Sequence, residues 1–177
     1  MEEAEVFRFA LEGKIVTVDN GSILASTPGF TNLQKKLGAF ATIAFDPSSK
    51  VKNAQQLQQQ GELHHYPHVV LGDGQDATLH VCLDPAMSAT LEPLPADEQL
   101  SGNQQATRVI ARLPISTLQL DDIEGLESID WLLLDNLNDS LKKFSNTGQK
   151  SLAATLLIQA RVNFLPTHKK AARTNLG

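Results

Sequence analysis

The chain has 177 residues, 41% of them hydrophobic, which suits one compact domain with a buried core. Fifteen Lys and Arg against 20 Asp and Glu give a formal charge of −5, a balance that excludes general nucleic-acid binding, which needs a basic surface. The single cysteine, Cys82, excludes an internal disulfide framework and fits a reducing compartment. No apolar run approaches the ~20 residues of a membrane span, and the acidic start MEEAEVFRF lacks the basic-then-apolar order of a signal peptide. The expectation is a cytoplasmic protein with no nucleic-acid or membrane partner.

Val6–Leu11 alternates weakly and is compatible with either strand or helix. Ile15–Val18 is a continuous apolar, β-branched run, the pattern of a strand buried on both faces. After Pro28 and Gly29, the spacing of Phe30, Leu33 and Leu37 is helical, with Gly38 as its stop. Ala41–Phe45 reads as a second buried strand, and Lys52–Gln60 as a helix of straight-chain residues ending at Gly61. Pro67–Leu71 reads as a third strand. A turn at Gly72–Gly74 then leads into the alternating run Ala77–Leu83, as a hairpin or sharp corner. The proline-rich, polar stretch 84–105 reads as a long surface loop. Strands are expected at Thr107–Leu113 and Asp130–Asp135, a helix near Leu137–Phe144, and a last strong strand at Ala154–Phe164.

Strands alternating with helices predict an α/β fold with a mostly parallel sheet. Its core strands are expected at 15–18, 41–45, 67–71, 130–135 and 154–164, with an added antiparallel hairpin portion between Gly72 and Leu120. The domain spans 14–166, between an N-terminal extension (1–13) and a C-terminal tail (167–177).

Sheets of this kind bind ligands at the carboxyl ends of their strands, and Gly21, Asp46, Gly72 and Asp135 all fall at such ends. An apolar strand ending in Asp19-x-Gly21, a helix, and a second strand ending in Asp46 form the opening half of a nucleotide-binding β-α-β unit. Gly21 permits a tight turn close to a ligand, and Asp46 is placed to accept hydrogen bonds from a ribose. The second glycine of such a turn, four residues after Gly21, is Ala25 here.

Other polar clusters read more plainly. His64, His65 and His68 (HHYPH) lack the spacing of a metal set and read as solvated loop residues, so no metal is expected. Asp121, Asp122 and Glu124 read as helix N-terminal acids. Cys82 reads as a packing residue, and Lys169, Lys170 and Arg173 as a solvated, frayed terminus.

In order, VDNGS, AFDPSS, VLGDGQDATLHV, SATLEP, STLQLDDI, SIDWLLLDN and LLIQARVNFLP resemble the successive motifs of the FkbM-type family of S-adenosylmethionine-dependent methyltransferases, over about residues 14–166. The resemblance implies a Rossmann-like methyltransferase sheet. Asp19 and Gly21 would form the turn at the methionine moiety, with carboxylates nearby favouring the sulfonium; Asp46 would be the ribose acid, and Gly72 a further cofactor position. Asp135 would be the acid ending the fourth parallel strand, and Asp135 or Asp122 a base for an acceptor hydroxyl.

The departures fall on chemistry. Besides Ala25, Leu133 stands at the family's lysine position, Leu137 at its glutamate, Asn138 at the following glycine, and Arg161 at another glutamate. The implied function is therefore a methyltransferase-like domain with weak or absent turnover. Its alternatives are an active O-methyltransferase on a sugar or small-molecule hydroxyl, and a non-catalytic structural or partner-binding module. The family continues with further strands past this point, so an exposed sheet edge is expected beside the last strand, with a homodimer or larger assembly covering it.

Overall fold

A parallel strand covered on both faces has no solvent side, so its sequence stays apolar throughout. In the computed structural model, which describes residues 13–52, 54–59, 63–99, 102–138, 147–163, 165 and 167–170, two such runs become β1 (Ile15–Asn20) and β2 (Phe40–Asp46), paired in parallel with Val18 opposite Ile43. Between them α1 (Pro28–Leu37) begins with Pro28, where a missing N–H costs nothing, and ends at Gly38, whose φ of +60° makes the left-handed cap. There follow α2 (Ala54–Gln59), β3 (Leu63–Pro67), β4 (Val69–Leu71), β5 (Ala77–Cys82), β6 (Val109–Leu118), β7 (Ile129–Leu134), α3 (Gln149–Ala153) and β8 (Thr155–Ala160).

Five strands form a parallel sheet in the order β3-β2-β1-β7-β8, and a second sheet has the order β4-β6-β5. This is a Rossmann-like α/β fold. In the second sheet β4 runs parallel to β6 and β5 antiparallel to it. The expected antiparallel portion is present, but β4 and β5 flank β6 and do not pair with each other, so the turn at Gly72–Gly74 is a corner.

One expected core strand is displaced. The third strand of the parallel sheet is β3, LHHYP, and not 67–71; Val69–Leu71 joins the second sheet. His68, with φ +58°, turns the chain between them. Two of the three histidines are consequently not loop residues: His64 and His65 lie in an edge strand, while His68 is the exposed turn residue expected. The expected element at Val6–Leu11, most of the helix at Leu137–Phe144, and Arg173 lie outside the described residues.

Alternation along β2 sends Phe45 and Ala44 to opposite faces of the sheet. Phe45 packs with Val18, Leu71, Leu120, Leu132 and Leu134, so the ends of β4 and β6 cover one face. Ala44 packs with Ala25, Leu57 and Leu63, so α2 and the turn after β1 cover the other. Each large apolar side chain so buried contributes ~1.5–3 kcal/mol. Asn20 ties the two sheets together, its Oδ1 accepting the Leu71 N–H at 3.0 Å. β8, at the far edge, stays open: Leu156 is 81% exposed and Leu157 54%.

Two loop readings change. The stretch after β5 is not wholly on the surface, since Ser88, Ala89, Leu91 and Gln99 are buried. The start of the C-terminal tail is docked on that stretch and not frayed. The Leu94 N–H donates to the Thr167 carbonyl and the Lys169 N–H to that of Glu92, and Lys169 Nζ meets Glu92 Oε2 at 2.7 Å. Between them His168 is buried, with Nε2 3.1 Å from the Met87 carbonyl, and burial pushes its pKa below the usual histidine value. Among the described residues no helix is long and apolar enough to cross a membrane.

Candidate functional site

Asp19 and Asp46, the two acids that end β1 and β2, perform the same local task. The Asp19 carboxylate turns back and accepts the N–H groups of Ile23, Leu24 and Ala25 at 2.7, 2.8 and 3.0 Å. The Asp46 carboxylate accepts those of Lys50 and Val51, both at 2.8 Å, and its Oδ2 lies 3.1 Å from His65 Nε2. Both side chains are fully buried. Burial raises the Asp19 pKa, opposed by its three N–H donors and by the Arg161 charge. In this geometry Asp46 has its oxygens committed to its own loop and its neighbour strand.

The strand order reverses direction between β1 and β7, and that switch point is where an open α/β sheet forms its crevice. Gly21 and Asp135 meet there. Gly21 has φ +90°, and a Cβ on it would stand 2.6 Å from the Asp135 carboxyl carbon, so only glycine lets the turn lie against this acid. Asp135 Oδ2 accepts from the Asn138 amide at 2.5 Å, while its Oδ1 is buried with no partner. Burial pushes the Asp135 pKa up to about 7, against the pull of Lys50 and the Asn138 hydrogen bond.

A cleft of about 480 Å³ opens over this point, lined by Gly21, Lys50, Asp135, Asn136, Arg161 and Asn163 among others. The Asn136 amide donates to Asn163 Oδ1, and Asn163 Nδ2 is buried without an acceptor. A second cleft of about 380 Å³ adjoins it, sharing Ser26 and Lys50 and adding Lys35 and Lys52.

The remaining expected site residues lie apart from this cleft. Gly72 packs against β6, where a Cβ would meet the Thr117 side chain at 2.8 Å. Asp122 is exposed in the short turn after β6. Its neighbour Asp121 lies with it in the first turn of a short 3-10 helix, Leu120–Asp122, and also accepts the Ser151 N–H at 2.8 Å, so this acid serves the N-terminus of α3 as well. Ala25 is a core residue beside Ala44 and Leu57. Leu133 is buried in β7, and Asn138 joins β7 to the long loop by accepting the Thr90 N–H at 3.1 Å. Cys82 is buried, and burial raises its thiol pKa. Among the described residues no group of three His, Cys, Asp or Glu could hold a metal ion.

Sequence reasoning passed over Lys50, Asn136, Asn163 and the partnership of His65 with Asp46. Only the sheet brings these together; Lys50 alone carried a local signal, as a cation four residues past the acid of β2.

No protein-family model, curated protein or solved structure matches the chain. The residues themselves test the methyl donor that the sequence motifs imply, and the fit is poor. Asp46 turns inward, Lys50 and Arg161 line the cleft beside Gly21, and Asp135, the one acid among the described lining residues, has its pKa pushed up to about 7 by burial. The expectation that carboxylates beside Gly21 attract the sulfonium is weakened accordingly.

Proposed function

We propose that this chain is an FkbM-type methyltransferase-like domain that has kept the fold and lost methyl transfer, and works as a cytoplasmic binding module. The parallel sheet with Gly21 and Asp135 at its switch point supports the family reading. The observation that carries the loss of chemistry is Asp46: its carboxylate is buried and holds Lys50, Val51 and His65, where a cofactor site needs it free for ribose. Arg161 in the same cleft opposes a cationic methyl donor. The exposed apolar edge at β8 supports the module reading, as a place where a second copy or a larger assembly docks.

One observation favours the alternative of an active O-methyltransferase. Asp135, with a pKa near 7 in a cleft, has the properties of a general base for a sugar or small-molecule hydroxyl. Calorimetry with S-adenosylmethionine and S-adenosylhomocysteine, followed by a methyl-transfer assay over hydroxylated acceptors, separates the two. The proposal expects no turnover. Multiple turnovers that vanish in Asp135→Asn, with the fold intact by circular dichroism, would overturn it.

A further inference from the structure

Although the chain carries a net charge of −5, the clefts at and beside the carboxyl ends of its central sheet are lined by cations. Lys35, Lys50 and Lys52 line one cleft, Lys50 and Arg161 the other, and among the described lining residues Asp135 is the one acid. Shared Ser26 and Lys50 make the two clefts neighbours. The polar atoms left over point to the same kind of ligand. Asn163 Nδ2 is a buried donor with no acceptor, and Asp135, once protonated, is a second donor at a site where its Oδ1 has no partner.

We propose that this double cleft binds a small molecule bearing phosphate or carboxylate groups, held by Lys50 and Arg161, with the Asn163 amide donating to an oxyanion. This rests on the reading above only in taking the switch-point crevice as the ligand site. Planar, multi-donor Arg161 matches an oxyanion in two directions at once, and Lys50 supplies a point charge at the junction of the clefts. Gly21 keeps backbone close to the site with no side chain in the way. An oxyanion supplies the acceptor that Asn163 lacks, which a sulfonium cannot do.

The test is calorimetry on the full chain with pyrophosphate, inorganic phosphate and citrate as probes, beside S-adenosylhomocysteine. Binding of an anionic probe is expected, weakening as salt is added, because charge supplies much of the recognition. Affinity should fall roughly tenfold or more in Arg161→Glu and in Lys50→Gln. Lys36→Gln, a cation on α1 outside both clefts, should leave it unchanged. Pyrophosphate above citrate assigns the site to phosphate, and the reverse order to carboxylate. No binding of any anionic probe at millimolar concentration overturns the proposal, as does binding that neither cleft variant weakens. Methyl transfer would break the functional reading while leaving these anion titrations to stand or fall by themselves.

Discussion

At the carboxyl ends of β1 and β2 every carboxylate oxygen meets an N–H group of the protein, whereas at the ends of β7 and β8 Asp135 Oδ1 and Asn163 Nδ2 are buried with nothing to bond. The first region spends its acids on holding its own loops. The second keeps polar capacity that the chain does not use. In a stable fold most buried polar atoms are satisfied, and each exception calls for an explanation; Thr17 Oγ1, Ser48 Oγ, His80 Nδ1 and Trp131 Nε1 are further exceptions outside the cleft lining. The acids of this crevice are thus divided by role, although all three end a strand of the same sheet.

The contrast breaks most sharply at Asp19. Replacing it by Ala strands three N–H groups, each costing ~1–3 kcal/mol when buried, so Asp19→Ala should lose about 5 kcal/mol in urea unfolding. If Asp19 were a ligand residue, the loss would be far smaller. Asp46→Ala should follow at about 3–4 kcal/mol, because two amides and the His65 ring lose their acceptor. Near-wild-type stability in that variant would mean the carboxylate is free for a ligand.

Asp135 has no such set of loop N–H donors, and burial governs its titration. Its folded pKa, about 7, lies above the ordinary 3.8, so between those values the folded state holds a proton that the unfolded chain has released. Its contribution to stability therefore falls as pH rises from about 4 to about 7, and levels off beyond. Asp135→Asn, which mimics the neutral form, should gain on the wild type over that window by roughly 3 kcal/mol, allowing for solvent in the open cleft. A difference that stays flat from acid to neutral pH would mean that Asp135 is not held protonated by burial. The smallest effect belongs to Ala25. If it is a packing residue, Ala25→Gly costs about 1 kcal/mol and opens no new ligand affinity in calorimetry.

Periodicity marked the strands whose two faces are covered, because burial leaves a trace in every side chain of β1, β2 and β7. It failed at β3. That strand holds its place by backbone pairing to β2 while His64, Tyr66 and Pro67 are exposed, so LHHYP has no apolar run, and the neighbouring Val69–Leu71 drew the assignment. The positions of Gly21, Asp46 and Asp135 at strand ends were legible for the same reason the strands were. Their partners were not. Asp19 and Asp46 are held by backbone amides, which every residue type but proline supplies, and Asn163 reaches the cleft only through the pairing of β7 with β8.

His68 has a mechanical consequence. It is the single residue between β3 and β4, held in a left-handed conformation, with its N–H donating to the Asp46 carbonyl at 3.0 Å. The chain passes from one sheet to the other with no slack at all. A crevice in a two-lobed protein closes by swinging one lobe on flexible straps, but here one of the two crossings is a single residue pinned to the sheet it leaves, the other being 119–128 between β6 and β7. The second sheet is a fixed buttress, and a guest entering the crevice has only the loops at its mouth to rearrange.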